Sequence, residues 1–241
     1  MISYNDIKAI FFDLDGTLRH NVPSGGEVFT DYVTTLGLRV NEEARLRALR
    51  WEHFYWASSM DLRNDLLAHS AETEKFWIEY SRRRLIALGA SEEWAMEVAP
   101  NISVHMGEFY KPESIVPEDV RRALPQLKEA GYILGVISNR DKPFQDVLDD
   151  HGISEFFDFS MAAGEVNVWK PDPGIFEHGL KRVKLGAKEV IYVGDNYYAD
   201  IVGARSAGLQ PILYDPLGIF PEPDCATIKS FDELNSIIKV I

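Results

Sequence analysis

The stretch that decides the fold class is Lys8-Ala-Ile-Phe-Phe-Asp-Leu-Asp-Gly-Thr-Leu18. Its apolar run, residues 9–12, leads directly into two carboxylates, Asp13 and Asp15, followed by Gly16 as a turn residue. A short apolar run bounded by a turn signal is typical of a buried strand in a parallel sheet. Whether the strand continues or ends at Asp13, both carboxylates lie at its carboxyl end, where open α/β sheets bind ligands.

The second carboxylate of this stretch needs an explanation beyond an acidic turn. A turn accounts for one Asp and for Gly16, but it does not explain why Asp15 follows Asp13 with no evident basic partner. Two carboxylates this close repel each other unless a cation or a shared proton intervenes. A hard cation such as Mg²⁺, which prefers oxygen ligands, is the simplest solution.

Strands and helices alternate through the last half of the chain, which predicts a parallel sheet with helices on both faces. The predicted strands cover residues 132–137, 156–159, 190–193 and 211–214. The predicted helices cover residues 118–130, 142–150, 173–184, 199–207 and 231–240, and Pro125 is expected to kink or divide the first of them. The expected fold is therefore a doubly wound, Rossmann-like α/β core.

The region between these two parts is helical in pattern. Asn41, Ser70 and Ser91 are each followed by a run suited to a helix, and each is a favoured capping residue. We therefore expect an inserted all-α domain of about four helices at residues 21–111. The α/β core would comprise residues 1–20 and 112–241.

The helical insertion is rich in aromatic residues. Trp51, Phe54 and Tyr55 have the spacing of one helix face, which favours a small hydrophobic core. The alternative is that Trp56 or His53 lines a substrate pocket. The periodicity favours the core interpretation.

Two further stretches place polar side chains after predicted strands. Ser138 and Asn139 end the strand at 132–137, where they could hold phosphate oxygens, although helix capping is their commoner use. Lys170 precedes a proline and so lies on a loop. Its ammonium could act as a point charge on a phosphate, although an ordinary surface lysine has the same local signature.

The strand at 190–193 repeats the opening arrangement of apolar residues followed by a carboxylate. Gly194 and Asp195 follow it, and Asp200 comes five residues later. Asp195 is either a metal ligand or a turn residue. Asp200 is either part of the same site or a charge near the N-terminus of a helix.

Together these stretches resemble the four motifs of the haloacid dehalogenase-like hydrolase superfamily in its phosphatase form. Asp13-Leu-Asp-Gly-Thr-Leu18 is similar to the first motif, and Ser138 matches the phosphate-binding position of the second. Lys170-Pro-Asp-Pro-Gly-Ile-Phe176 resembles the third, and Gly194-Asp-Asn-Tyr-Tyr-Ala-Asp200 resembles the fourth. The helical insertion lies where this family carries its cap domain, between the first and second motifs.

The resemblance implies a Mg²⁺-dependent phosphomonoester hydrolase that acts on a small phosphorylated metabolite through an aspartyl-phosphate. Asp13 would be the nucleophile, Asp15 the general acid and base, and Lys170 the group that neutralises charge. Phosphate would be bound by Thr17, Ser138, Asn139 and Lys170. The metal would be held by Asp13, by Asp15 through its backbone carbonyl and by Asp195, with Gly194 and Asp200 supporting the site.

Three other functions are compatible with the same pattern. A 2-haloacid dehalogenase of this superfamily attacks carbon and needs no Mg²⁺, but its first motif usually lacks the second aspartate. A phosphomutase differs mainly in its cap and in its control of water. A non-catalytic binding protein on the same fold would be favoured by loss of a motif residue, and none is missing.

Composition limits the partners. The formal net charge of −13 argues against nucleic acid and anionic membrane surfaces, but it allows a small anionic substrate in a cleft that holds a metal. The single cysteine, Cys225, excludes an internal disulfide and favours a reducing, cytoplasmic setting. No run has the features of a signal peptide or the length of a membrane span. The oligomeric state cannot be read from the sequence.

Overall fold

The computed structural model describes residues 6–238, apart from the side chain of Asn235. The chain divides into two compact units. The α/β unit contains the chain up to His20 and again from Ile115 onwards. The helical unit is Asn21–Ser114. The last residues of the helix expected at 231–240, Lys239 and Val240, lie outside the described residues.

The α/β unit is organised around a six-stranded sheet in which every pair of neighbours is parallel. Its strands are β1 (Ala9–Phe12), β4 (Ile133–Ser138), β5 (Phe159–Ala162), β6 (Val190–Gly194), β7 (Gln210–Tyr214) and β8 (Ala226–Ile228). Two short strands, β2 (His20–Val22) and β3 (Glu113–Ile115), form a separate two-stranded sheet. The order across the large sheet is β5-β4-β1-β6-β7-β8. The predicted α/β, Rossmann-like parallel fold is confirmed.

Strand β1 is buried on both faces because hydrophobic cores lie on either side of the sheet. Ile10 and Phe12 pack into one core, and Ala9 and Phe11 pack into the other. All four side chains are fully buried. Successive side chains of a strand point to opposite faces, so an uninterrupted apolar run is what a central parallel strand requires.

The helices that cover this sheet are α6 (Glu118–Glu129), α7 (Gln145–Asp150), α8 (Ala163–Val166), α9 (Pro173–Val183), α10 (Val202–Ser206) and α11 (Phe231–Ile238). Pro125 lies inside α6 and does not divide it, so of the two predicted effects only a kink stays a prediction. Pro125 is the eighth residue of the helix, and the Leu124 and Leu127 side chains beside it are buried in the core. Tertiary packing of this apolar face outweighs the lost backbone hydrogen bond.

Two strands of the six-stranded sheet differ from the sequence prediction. The strand expected at 156–159 begins only at Phe159, because Ser154–Phe156 forms a 3₁₀ turn. Phe156 and Phe157 pack against the core from this turn, so their apolar character does not mark the strand itself. Strand β8 was missed because it is three residues long and follows a proline-rich loop.

The helical unit contains five helices within the described residues rather than about four: α1 (Gly25–Thr35), α2 (Glu42–Trp56), α3 (Met60–Ala68), α4 (Glu74–Ala87) and α5 (Glu92–Phe109). The stretch read as one helix after Ser70 begins only at Glu74, and a separate short helix, α3, precedes it. Of the three residues whose spacing predicted a core, Tyr55 is buried and Trp51 packs against the same cluster, but Phe54 is 47% exposed, so the prediction was wrong for Phe54. None of the helices in residues 6–238 has both the length and the apolar character that a membrane span requires.

His20 provides a test of the α/β packing. Its ring lies edge-on to that of Tyr214, with centroids 5.9 Å apart, and its Nε2 has no hydrogen-bond partner within residues 6–238. Burial lowers the pKa of His20 below its usual 6.5. The unfolded chain therefore binds a proton that the folded chain does not, and this costs stability as the pH falls below 6.5.

We expect His20→Phe to flatten the pH dependence of folding. Between pH 6.5 and about pH 5, the free energy of unfolding should fall more steeply for the wild type than for the variant. Above about pH 7 the two slopes should coincide, because His20 is neutral in both states. Urea titrations at each pH measure the difference, and parallel curves throughout would contradict the assignment.

Candidate functional site

The candidate site lies at the carboxyl ends of three adjacent parallel strands. Asp13 follows β1, Ser138 ends β4 and Asp195 follows β6, and β1 lies between the other two strands. The backbone N–H of Asp13 donates to the carbonyl oxygen of Val193 at 2.9 Å, which keeps the two strand ends in register. Because carboxyl ends of parallel strands share one edge, residues far apart in sequence meet there.

Three carboxylates converge at this edge. One oxygen each from Asp13, Asp195 and Asp200 lie within 4.8 Å of one another. Asp13 and Asp200 are buried, and Asp195 is partly buried. Carboxylate oxygens at this spacing, shielded from water, form a donor set suited to a hard divalent cation.

Lys170 is the cation that the protein itself provides to this cluster. Its Nζ donates to Asp13 Oδ1 at 2.6 Å and to Asp200 Oδ1 at 2.7 Å, and the side chain is almost fully buried. One ammonium thus bridges two of the three carboxylates. The resulting network is held together by charge-assisted hydrogen bonds in an environment of low dielectric constant.

The environment shifts the acid–base properties of these groups. Burial raises the pKa of Asp13 well above its usual range, with Lys170 opposing the shift and the other carboxylates reinforcing it. Burial and the nearby Asp200 raise the pKa of Asp195 to about 7. Burial alone would lower the pKa of Lys170, but Asp13 and Asp200 outweigh it and raise that pKa. Three carboxylates thus lie together beside the ammonium of Lys170.

Tyr192 is a further member of this network, and it lies outside every motif seen in the sequence. Its hydroxyl lies 3.0 Å from Lys170 Nζ and 3.3 Å from Asp200 Oδ1, and it donates to the carbonyl of Ile137 at 3.0 Å. It therefore links β6 to β4 and orients the ammonium. The only signal in the sequence is a tyrosine within an otherwise aliphatic buried strand.

Asp200 is positioned by an unusual turn of helix. Tyr197–Ile201 forms a single π-helical turn, and the side chain of Asn196 caps it by accepting from the backbone N–H groups of Tyr198 and Ala199. Asp200 is fully buried, and its Oδ2 accepts from the backbone N–H of Asn196 at 2.9 Å. Such π turns are frequent at functional sites.

Two glycines make room for the carboxylates. A Cβ on Gly16, which has a φ of +95°, would lie 2.5 Å from Asp195 Oδ2. A Cβ on Gly194 would lie 2.4 Å from Asp200 Cγ. Real Cβ atoms do not approach other atoms this closely, so any side chain at these positions would displace the acidic groups.

Asp15 is placed differently from Asp13, and the expectation that it lacks a basic partner was wrong. Arg19 Nη1 donates to Asp15 Oδ1 at 2.6 Å, and Arg140 forms a two-pronged pair with both oxygens at 2.7 and 2.9 Å. Arg19 lies four residues after Asp15, and Arg140 follows the Ser138-Asn139 pair. Neither position in the sequence predicted an ion pair with Asp15. The Asp15 side chain is 42% exposed and stands outside the acidic cluster.

The remaining sequence candidates take different positions. Thr17 is fully buried; its Oγ1 lies 3.1 Å from Asp195 Oδ1 and accepts from the backbone N–H of Asp195. Asn139 uses both ends of its amide on the backbone of Lys170, at 2.7 and 2.9 Å. Thr17 and Asn139 thus position Asp195 and Lys170. Ser138 is buried at the end of β4.

Comparison with known proteins agrees with this geometry. The chain is 32% identical over 211 residues to the glyceraldehyde 3-phosphate phosphatase of Pyrococcus abyssi, with 86% of this chain and 81% of the relative covered. It is 29% identical over 209 residues to haloacid dehalogenase-like hydrolase domain-containing protein 3 of Bos taurus, with coverages of 86% and 81%.

A solved structure gives the same result at the level of the fold. The crystal structure of 2-haloacid dehalogenase from Pseudomonas syringae pv. Tomato DC3000 matches with a TM-score of 0.54 and 26% identity, covering 97% of this chain and 98% of that one. The family model described as haloacid dehalogenase-like hydrolase matches residues 7–208, which include every residue of the acidic cluster and Lys170. The chain therefore belongs to the haloacid dehalogenase-like hydrolase family.

Proposed function

We propose that this protein is a Mg²⁺-dependent phosphomonoester hydrolase that acts on a small phosphorylated metabolite. The observation that carries the proposal is the convergence of Asp13, Asp195 and Asp200 within 4.8 Å, with Lys170 bonded to two of them. A relative that is 32% identical bears the name of a phosphatase, which supports the same reaction class. The strongly negative chain remains compatible with an anionic substrate because the charges that bind phosphate are local.

The residues present fit a magnesium ion. The site offers only oxygen donors, and its three carboxylates outnumber the ammonium of Lys170, so a divalent cation would balance the remaining charge. Asp13 and Asp195 would hold the ion, together with the backbone carbonyl of Asp15, and Asp200 would orient Lys170. When bound, Mg²⁺ would neutralise phosphate charge.

Asp13 would act as the nucleophile. Lys170 binds its Oδ1, which leaves the second oxygen of the carboxylate to attack phosphorus and form an aspartyl-phosphate. The ammonium holds the carboxylate in one orientation and offsets the charge that accumulates on the phosphoryl oxygens. Ser138, at the end of the neighbouring strand, would donate a hydrogen bond from its hydroxyl to one of those oxygens.

Asp15 would protonate the leaving oxygen and later accept a proton from the attacking water. Its exposed position suits a group that must reach a substrate and exchange protons with solvent. Arg19 and Arg140 hold its carboxylate in one position in this structure. We further propose that the helical insertion, residues 21–111, is the cap that excludes water during the reaction.

The nucleophile is tested by Asp13→Asn. We expect kcat for p-nitrophenyl phosphate to fall by at least about a thousandfold, since an amide cannot form the acyl-phosphate. Asp150→Asn, an exposed aspartate of the same unit, is the matched control and should retain full activity. Hydrolysis by the Asp13→Asn protein at the wild-type rate would disprove the mechanism.

The same assay separates phosphatase from dehalogenase. Wild-type protein should release phosphate in the presence of Mg²⁺, lose this activity in EDTA and release no halide from haloacetate. Halide release that persists in EDTA, without phosphatase activity, would instead identify a dehalogenase.

The general acid is tested by comparing leaving groups. Asp15→Asn should lower kcat for glycerol 2-phosphate by about 10²- to 10⁴-fold, because an alkoxide needs a proton to depart. The loss should be much smaller for p-nitrophenyl phosphate, whose phenolate leaves readily without one. Equal losses on both substrates would show that Asp15 does not protonate the leaving group.

The charge balance is tested by stability measured in EDTA. Lys170→Met leaves the buried carboxylates without their cation and should lower the free energy of unfolding by about 3–5 kcal/mol. Asp195→Asn removes repulsion and should raise it, and added Mg²⁺ should stabilise the wild type more than this variant. Lys188→Met, at an exposed lysine, is the control and should change little. Stabilisation by Lys170→Met would contradict the account.

A further inference from the structure

A cavity of about 610 Å³ lies wholly within the helical unit, lined by residues of α1, α2, α4 and α5 and by Tyr110. Its volume falls within the range of about 300–1,000 Å³ that is usual for small-molecule sites. None of its lining residues belongs to the acidic cluster. The hydrolase mechanism proposed above gives this cavity no role.

One wall of the cavity is aromatic. The rings of Trp56, Trp77 and Tyr80 contact one another, with centroids 5.5, 5.8 and 6.3 Å apart for the three pairs. Trp56 remains 38% exposed and Trp77 43% exposed, although both are large apolar side chains. Exposed apolar surface that is concentrated around a concavity marks a binding site more often than a stable bare surface. The three contacting rings thus form one aromatic wall of the cavity.

A buried polar group adjoins this aromatic wall. Arg84 lines the cavity and is only 2% exposed. Its Nη1 donates to Glu52 and, at 2.9 Å, to the hydroxyl of Tyr80, while its Cζ lies 5.1 Å from the ring centroid of Phe29. Its Nε, however, has no hydrogen-bond partner anywhere in the described part of the chain. An unsatisfied buried donor costs about 1–3 kcal/mol, so this one indicates a missing acceptor.

The charges around the cavity restrict what that acceptor can be. Glu52 already balances Arg84, and Glu74 adds a second carboxylate to the lining. An anionic ligand would approach two carboxylates, and a cationic ligand would approach a buried guanidinium. An uncharged oxygen satisfies the donor without adding charge in an environment of low dielectric constant.

We propose that this cavity binds an uncharged amphipathic small molecule. Its aromatic or alkyl body lies against Trp56, Trp77 and Tyr80, and its carbonyl oxygen accepts the hydrogen bond that Arg84 Nε does not make within the protein. The proposal concerns a second site in the chain and stands whether or not the protein hydrolyses phosphate esters.

Three probes with the same phenylbutyl body test the charge requirement: 4-phenylbutanamide, 4-phenylbutanoate and 4-phenylbutylamine. Ligand-observed NMR at pH 7.5 with the full-length protein should show saturable binding of the amide. We expect its affinity to exceed those of the carboxylate and the amine by at least about tenfold each.

The location is tested by filling the cavity. A Cβ added at Gly107, which lines the cavity in α5, meets no atom within 4 Å, and leucine is a better helix former than glycine. Gly107→Leu should therefore fold and should weaken amide binding at least about tenfold. Asn101→Leu adds the same side chain to an exposed position of α5 outside the cavity and should leave binding unchanged. These two variants leave Arg84 unchanged, because its substitution would leave the Glu52 carboxylate without its cation.

Three outcomes would overturn the proposal. The first is the absence of saturable amide binding below about 10 mM. The second is binding of the carboxylate or the amine that equals or exceeds that of the amide. The third is equal binding of the amide by the Gly107→Leu and Asn101→Leu proteins.

Discussion

The candidate active site depends on one buried ammonium, that of Lys170, placed between the carboxylates of Asp13 and Asp200. Taking these charges out of water costs several kcal/mol for each ion, and only close, well-oriented hydrogen bonds offset that cost. Asn139 hydrogen-bonds to the backbone of Lys170, and the hydroxyl of Tyr192 lies 3.0 Å from its ammonium. Asp13, Lys170, Tyr192 and Asp200 are all buried. The carboxylate of Asp195 is the third acidic group of the cluster, and under the proposed function it would help to hold a divalent cation.

The parallel sheet explains how such a site can be assembled from distant segments. Neighbouring strands β4, β1 and β6 end at one edge, so Ser138, Asp13 and Asp195 are brought together by backbone pairing alone. The loop that carries Lys170 and the π turn that carries Asp200 are then fixed against that edge by hydrogen bonds. The helical unit has buried clusters of its own.

Most of the sheet and the main chemical groups could be predicted because they depend on local signals. Asp13 and Asp195 each follow an apolar run. This local pattern predicts a carboxylate at the end of a strand without information from the rest of the chain. The pairing of Asp15 with Arg19 and Arg140 could not be predicted, since arginine side chains are long and their direction depends on tertiary packing. Thr17 and Asn139 have the residue types of phosphate ligands, and only the three-dimensional structure shows that they hold Asp195 and Lys170. Pro125 and the late start of β5 show the same limit, because packing overrode local propensity in both.

The central claim is that the acidic cluster binds one divalent cation between Asp13 and Asp195. Crystals grown with Mn²⁺, an oxygen-seeking substitute for Mg²⁺, would test it directly through the anomalous scattering of the metal. The account predicts a single strong anomalous peak about 2.0–2.3 Å from carboxylate oxygens of both Asp13 and Asp195. An anomalous peak at another position, or a fully occupied Mn²⁺ ion that contacts neither aspartate, would contradict it.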